Sequence, residues 1–494
     1  MSKYTLVTPT KTLYSTSEQD AIIDFALGAK ESMVINALAG AAKTSTLEFI
    51  CDKLRSIPIL SLAFNKRIAL EMSVRLPSHV TCKTMNALGH SVWAAAVGKR
   101  KMTLDDRKLY RLLKEEAKEF KGPEAQDFFD EFPETLKICQ RMKTFGYNPM
   151  DYGKSLLDRN QFIRTFDIIP ATWQIRAAEN VIRASIKEAY AGCIDFSDQI
   201  YMPTLFGGVW PNFPLVLVDE AQDLSPLNHA MLKLIAKTRL IAVGDPFQSI
   251  YGFRGAVSSG MSVIQSDYRA AVFPLSVSFR CPVSIIRRAR FRAPHMKWIA
   301  NAPEGEVREL EHWKPSAIPD GSAIICRNNA PLIKLSFRLI KAGRGVKLLG
   351  FDIGPQLVKT MKKLGPMSMP QAEVLRAINA WETEMLAKKN SAGSISDRAD
   401  CMRVFAAEGD TLAAACAYAD HLFKASGPIE LLSGHKSKGL EWDTVFHLDP
   451  WRIPSQYAEG QEEVEQELNI RYVIETRPKK SLYLINMEGM QDEV

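Results

Sequence analysis

Lys43 and Thr44 stand in Asn36-Ala37-Leu38-Ala39-Gly40-Ala41-Ala42-Lys43-Thr44-Ser45-Thr46, a run of small residues between an apolar stretch and the helix-like segment Leu47–Leu54. A strand–loop–helix passage of this kind wraps backbone N–H groups around a phosphate at a helix N-terminus. In it Lys43 would reach the β- and γ-phosphates of a nucleotide, and the Thr44 hydroxyl would ligate Mg²⁺. Against the template G-x-x-x-x-G-K-S/T, Ala37 and Ala42 replace the two glycines. Ala42 matters more, because that position exploits a glycine's freedom and close approach. On its own the segment also allows a small-residue turn with a chance Lys-Thr pair.

A second constellation bears on that choice. Leu215-Val216-Leu217-Val218-Asp219-Glu220 is an apolar strand ending in two acids. At the carboxyl end of a parallel strand such acids sit beside a phosphate loop. Asp219 would hold Mg²⁺, directly or through water, and Glu220 would orient and deprotonate an attacking water. Solvated acids at a strand end are the plain alternative.

Both constellations need parallel strands to position them, and the pattern supplies candidates. Met33–Leu38, Pro58–Ala63, Leu215–Asp219 and Leu240–Val243 read as buried strands of the N-terminal half. Ala271–Leu275, Ser322–Cys326, Val346–Leu349, Glu430–Ser433, Thr444–Leu448 and Leu482–Ile485 read as strands of the C-terminal half. Helix-like segments follow them, so the expected class is α/β, built from βαβ units with parallel sheets. Gly98–Tyr190 has helical periodicity, dense charge and no strand signal, and reads as a helical insertion. A smaller helical stretch, about Asp352–Phe423, interrupts the second half, with Asn390-Ser391-Ala392-Gly393-Ser394 read as a loop.

Composition excludes several classes. The 494 residues are 46% hydrophobic and 24% charged, which is ordinary globular usage rather than disorder, collagen or fibre. At roughly 150 residues per domain the length suggests about three units. No apolar run reaches the roughly 18 residues of a membrane span, and Met1-Ser2-Lys3-Tyr4 lacks the apolar core of a signal peptide. The expectation is therefore a protein with no membrane, cytoplasmic in a bacterial or phage-infected cell, or nuclear in a eukaryote. Lys plus Arg is 63 against 56 Asp plus Glu, a net charge of +7 that is compatible with a polyanion partner. The eight cysteines contain no C-x-x-C pair and read as reduced, mostly buried thiols. Lys99-Arg100-Lys101, Arg287-Arg288 with Arg290 and Arg292, and Lys362-Lys363 would track phosphates or form solvated faces.

Further along, Asp219-Glu220-Ala221-Gln222-Asp223 is followed by Val243-Gly244-Asp245-Pro246-Phe247-Gln248-Ser249-Ile250-Tyr251-Gly252-Phe253-Arg254-Gly255-Ala256. With these strings the chain resembles the UvrD/Rep/PcrA-like helicases of superfamily one. Gln19 in Ser17-Glu18-Gln19 is similar to the glutamine that reads the adenine edge. Ala63-Phe64-Asn65-Lys66 and Thr84-Met85-Asn86-Ala87-Leu88-Gly89 resemble motifs Ia and Ib, which line the single-strand path. Asp195-Phe196-Ser197-Asp198 resembles the segment where the chain re-enters the first motor domain. Phe279-Arg280 resembles motif IV, Gly434-His435-Lys436-Ser437-Lys438-Gly439-Leu440-Glu441-Trp442 motif V, and Glu467–Arg477 motif VI. Details of three motifs lean toward the F-box DNA helicase branch and its phage or bacterial relatives, although no F-box-like segment precedes the motor.

The resemblance implies two RecA-like P-loop NTPase domains, each carrying a mainly helical insertion. The implied boundaries are 1–97, 191–268 for the first motor domain, 98–190 for its insertion, 269–351 and 427–494 for the second, and 352–426 for a reduced second insertion. It implies ATP and Mg²⁺ as cofactors, with Gln19, Ala39, Gly40, Ala41, Ala42, Lys43, Thr44, Ser45, Phe279 and Glu441 around the nucleotide. Gln248 would sense the γ-phosphate, and Arg280 and Arg477 would act as arginine fingers that close the two halves on ATP. Phe64, Asn65, Lys66, Thr84, Asn86, Tyr251, Phe253, Arg254 and His435 would contact DNA, Phe253 by stacking on a base.

The implied activity is an ATP-dependent DNA helicase moving 3′→5′ on single-stranded DNA. A translocase that displaces proteins without efficient unwinding, and a non-hydrolysing binding module with a disabled P-loop, remain as alternatives. Single-stranded DNA, single-strand/duplex junctions and a replication, repair or recombination protein are the implied partners of a functional monomer. Three residues depart from the family pattern: Ala42 should reduce rather than abolish activity, Pro478 should end the preceding helix, and Arg471 should face solvent or DNA. The short second insertion should alter duplex contact, and the few residues after Ile485 leave no room for an appended nuclease.

Overall fold

Runs of Val, Ile and Leu without polar alternation suit strands covered on both faces, as in a parallel sheet. The computed structural model describes residues 2–7, 12–63, 65–98, 101–166, 170–250, 252, 260–350, 354–387, 392–458 and 460–491. It forms two compact units, Met1–Ala37 with Ala42–Ser276, and Leu38–Ala41 with Val277–Val494. Tyr251, Phe253, Arg254, Phe64, Lys99 and Arg100 lie outside the described residues. No helix among those described is long and apolar enough to cross a membrane.

The first unit holds a six-stranded sheet of β1 (Met33–Ala37), β2 (Ile59–Ala63), β3 (Val80–Thr84), β4 (Leu215–Val218), β5 (Leu240–Gly244) and β6 (Ala271–Leu275). Their spatial order is β6-β1-β5-β4-β2-β3, and every pairing is parallel. Ala271–Leu275 was expected in the second half; it instead pairs with β1, Ala271 opposite Met33 and Leu275 opposite Ala37. Pro274 has no N–H to donate, which an edge strand tolerates.

The long insertion folds as helices, chiefly Lys108–Glu116, Phe132–Phe145 and Thr172–Ala191. It is joined to the re-entry segment by buried charge. The Lys143 ammonium donates to Ser185 Oγ at 3.0 Å and to Asp195 Oδ2 and Asp198 Oδ1, each at 2.6 Å. The Lys108 ammonium donates to Asp198 Oδ2 at 2.8 Å and to the Ser185 and Cys193 carbonyls. Lys108, Lys143 and Asp198 are fully buried. Asp195 and Asp198, at the start of the helix Asp198–Phe206, therefore tie the insertion's helices to the segment by which the chain returns to the first unit's sheet.

The second unit repeats the plan with β7 (Glu306–Leu310), β8 (Ala323–Cys326), β9 (Val346–Leu348), β10 (Ile429–Ser433), β11 (Trp442–Leu448) and β12 (Pro478–Ile485), ordered β7-β12-β11-β8-β10-β9 and all parallel. Four helices, Gly354–Met361, Gln371–Ala387, Ala392–Glu408 and Leu412–Leu422, fill the interval between β9 and β10. Ala392-Gly393-Ser394, expected in a loop, form the first turn of a helix; residues 390–391 lie outside the described residues. The helix Gly460–Glu475 ends shortly before Pro478, which opens β12.

The arginine cluster divides: Arg287 and Arg290 are exposed, as a solvated face would be, whereas Arg288 and Arg292 turn to partners within the unit. Arg288 pairs with Glu475, Arg290 donates to the Met296 carbonyl and lies over Trp298, and Arg292 bonds Asn469. Arg471, half-exposed, pairs with Glu475 at 3.0 Å and covers the Phe291 ring. All eight cysteines are free.

Burial opposes ionisation of Asp198, but Lys143 and Lys108 outweigh it and hold the carboxyl below its usual range. Its contribution to stability is full above pH ~4, the unfolded value, and is lost as the pH falls below that. Asp198→Ala should leave two buried ammoniums short of counter-charge and cost the first unit ~3–5 kcal/mol in urea unfolding. A loss under ~1 kcal/mol, the level of an exposed pair, would contradict a buried weld.

Candidate active site

Strand order makes the first half-site. β1, β5 and β4 are adjacent, so the residues just past their carboxyl ends converge although they lie far apart in sequence. Lys43 opens the helix Lys43–Lys53 after β1, Asp219 and Glu220 follow β4, and Asp245 follows β5. The Lys43 ammonium donates to Glu220 Oε1 at 2.8 Å. Burial disfavours that ammonium, yet Glu220, Asp219 and Asp245 outweigh it and raise its pKa. Burial and the Glu220 charge push the Asp219 carboxyl up to about 6, Lys43 opposing. Burial also raises Asp245, against Lys43 and its bond from Gln248.

Three carboxylates thus surround one ammonium, an excess of negative charge that suits a divalent cation. Among the described residues no three acids, histidines or cysteines make a metal cage by themselves. Mg²⁺ takes one or two protein ligands and fills the rest with water and phosphate. Thr44, half-buried in the first helical turn, and Asp219 are the residues that would hold it.

Ala42 precedes the helix at φ 57, ψ 40, in the left-handed region, and gives no side-chain cap. The glycine missing from the template is therefore missed on energetic grounds, while the turn it favours still forms. Without a capping side chain, the leading N–H groups of the helix are suited to an anion. Glu220 is also left-handed, at φ 52.

Two residues absent from the expected set complete this half. Gln222 donates through Nε2 to Glu220 Oε2 at 2.6 Å and accepts from the Asp245 N–H at 3.1 Å. Asp245 Oδ2 accepts from Gln248 Nε2 at 2.7 Å, so the expected γ-phosphate sensor is oriented by an acid. Both were visible only as letters in a motif; their roles depend on β4 and β5 being neighbours.

Gln19 is placed differently from expectation. Its Oε1 accepts from the Thr16 N–H and its Nε2 donates to Thr46 Oγ1 at 2.9 Å, so its amide caps one helix and ties it to the next. Asn65 and Thr84 cap helices by accepting from Ile68 and Ala87 N–H groups, and Asn86 donates to the Phe196 carbonyl. These residues follow or end β2 and β3, and Asn65 and Lys66 are exposed. Ser45 lies within 3.5 Å of the Arg75 guanidinium.

The second unit holds the other expected residues. Within it, the Gly40 carbonyl accepts from the Phe279 N–H at 2.9 Å, and the Ala39 N–H donates to the Tyr472 hydroxyl at 3.0 Å. A Cβ on Gly40 would meet Ser278 Oγ at 2.6 Å and Arg280 Cβ at 2.8 Å, and its φ is +73, so this glycine is required by space as well as by conformation. Ala41 is buried in the same segment. The Phe279 ring is 46% exposed, available for stacking. Arg280 Nη1 donates to Glu441 at 2.5 Å, whereas its Nε and Nη2 are buried without a partner. Glu441, expected on a ribose, thus holds an arginine. Burial and the Arg280 guanidinium lower Arg477 to about 10. Two buried like charges, with the Arg280 Nε and Nη2 donors unpartnered among the described residues, suit an anion such as phosphate. His435 sits half-buried in the short helix Gly434–Ser437 after β10.

Ala42→Gly should remove ~1–2 kcal/mol of left-handed strain at the expense of ~0.4–1 kcal/mol of chain entropy. The expected result is a thermal midpoint that rises slightly, with ATP turnover at least that of the parent. A lower midpoint or slower turnover would show that the Ala42 methyl packs usefully.

Comparison with known proteins agrees with this geometry. Residues 16–269 match the UvrD/REP helicase N-terminal domain and residues 416–489 the UvrD-like helicase C-terminal domain. F-box DNA helicase protein 1 of Schizosaccharomyces pombe is 24% identical over 95% of this chain and 57% of its own length. F-box DNA helicase 1 of Gallus gallus is 24% identical over 95% of this chain and 49% of its own. The ATP-dependent DNA helicase Rep of Escherichia coli is 33% identical over 19% of this chain and 16% of its own. The chain spans about half the length of the F-box relatives it matches. Its two parallel sheets are RecA-like P-loop folds, and the chain belongs to the UvrD/REP helicase family.

Proposed function

We propose that the protein is an ATP-dependent DNA helicase that couples hydrolysis to 3′→5′ movement on single-stranded DNA. The observation that carries the reading is the Lys43–Glu220 pair, set among Asp219 and Asp245 at the ends of three adjacent parallel strands. Lys43 binds the β- and γ-phosphates, and Glu220, freed from it, accepts the proton of the attacking water. Bound Mg²⁺, held by Thr44 and Asp219, would neutralise phosphate charge. Gln222 orients Glu220, and Asp245 orients Gln248. Arg280 and Arg477 stabilise charge on the transferred phosphoryl group, and Phe279 offers a face for the base.

The motor reading is favoured over a non-hydrolysing module because Ala42 adopts the left-handed turn and Lys43 meets its acid. The reduced helical insertion between β9 and β10 keeps the second reading, a translocase without efficient unwinding, in play. The DNA partner, replication or repair partners, monomeric action and the 1–97, 98–190, 191–268, 269–351, 352–426 and 427–494 division, with its second-motor start moved past β6, belong to the same proposal.

ATP hydrolysis with and without single-stranded DNA tests it. Stimulation by DNA, abolished by Lys43→Ala, is expected; a parent that does not hydrolyse ATP would overturn the motor. Arg280→Ala and Arg477→Ala should spare ATP binding and slow turnover at least ~10-fold. Strand displacement should favour a 3′-tailed duplex, and a 5′ preference would reverse the polarity.

A further inference from the structure

Among the described residues the Arg280 guanidinium bonds Glu441 through Nη1 while its Nε and Nη2 have no hydrogen-bond partner, so its direction depends on the segment that carries it. That segment continues into the helix Val283–Ala289. Arg477 follows the helix Gly460–Glu475, its Nε bonded to the Val473 carbonyl at 2.8 Å and its Nη2 to Thr476 Oγ1 at 3.2 Å. What joins the two segments is a buried carboxylate.

Glu475 is fully buried and accepts from Arg288 Nε at 2.9 Å and Nη2 at 3.0 Å, a two-point grip. It also accepts from Arg471 Nε at 3.0 Å, and His447 Nδ1 lies 3.4 Å away. Two further contacts run along the same seam: Cys281 Sγ to the Thr476 carbonyl at 3.7 Å, and Arg292 Nε to Asn469 Oδ1 at 2.7 Å. The carboxylate does not serve its own helix, because a negative charge at a helix C-terminus opposes the macrodipole. Nor is a buried ion pair the cheapest way to fill a core, since apolar side chains of similar size are often as stable or more so. What a planar two-point pair adds is fixed geometry.

We propose that Glu475 is a positioning residue that, through Arg288, sets the segment bearing Arg280 against the segment bearing Arg477 and so holds the two guanidiniums as a pair. The inference rests on the role of Arg280 and Arg477 given above. Arg471 is part of the brace: its departure from an apolar residue supplies a second cation to the same carboxylate.

The test is a double-mutant cycle on the full chain with DNA-stimulated ATP turnover, KM for ATP and thermal unfolding as readouts. Glu475→Gln should lower kcat at least ~10-fold while KM stays within ~2-fold. Placed in an Arg477→Ala background it should cause less than its full loss, because part of its effect runs through that arginine. Glu475→Asp should recover part of the rate. A fast Glu475→Gln beside a slow Arg477→Ala overturns the brace alone, as do losses that multiply in the double variant. A near-normal Arg477→Ala overturns the role of the arginine and the brace with it. Should Glu475→Gln fail to fold, Arg288→Gln, which loosens the same grip from its partly exposed side, takes its place with the same expected and contrary results.

Discussion

A single lysine ammonium held among three carboxylates at the end of a parallel sheet governs the first unit. Lys43, Glu220, Asp219 and Asp245 are partly or wholly withdrawn from water, where charge interacts more strongly than at the surface. Burial, and the Glu220 charge that one cation cannot balance, make Asp219 resist ionisation, and the cluster favours added positive charge. A phosphate brings the opposite need, drawing on Lys43. A metal–nucleotide pair satisfies both sides together, which neither ion does alone. Gln222 and Gln248 fix the geometry in the meantime by bonding to the acids themselves.

The second unit presents the complementary imbalance. Arg280 and Arg477 lie close enough for one to depress the other, and Glu441 is the acid that meets Arg280. Buried donors left open there ask for an anion. An ion-paired seam centred on Glu475, which binds Arg288 and Arg471, joins the segments that carry them. Each unit thus carries an unbalanced charge, negative around Lys43 and positive at Arg280 and Arg477.

How much of this could be read in the chain depends on how local each feature is. Lys43-Thr44 and Asp219-Glu220 were legible because each is a short spacing at the end of an apolar run. Most strands were placed within a residue or two for the same reason. Ala271–Leu275 was recognised as a strand but assigned to the wrong sheet, because pairing with β1 across more than two hundred residues leaves no trace in either segment. Gln19 and the cluster Arg287 to Arg292 illustrate the same limit: their partners, Thr46, Glu475 and Asn469, are set by packing rather than spacing. Ala42 departs from the template in plain letters, but its left-handed backbone is a property of the fold around it.

The central claim is that Glu220 both holds Lys43 in the ligand-free protein and serves as the base during hydrolysis. Measuring ATP affinity and single-turnover hydrolysis for Glu220→Gln tests both halves at once. Equal or tighter ATP binding is expected, since Lys43 is released from its acid, together with hydrolysis slower by at least ~100-fold. Near-normal hydrolysis, or binding weakened along with it, would contradict the account.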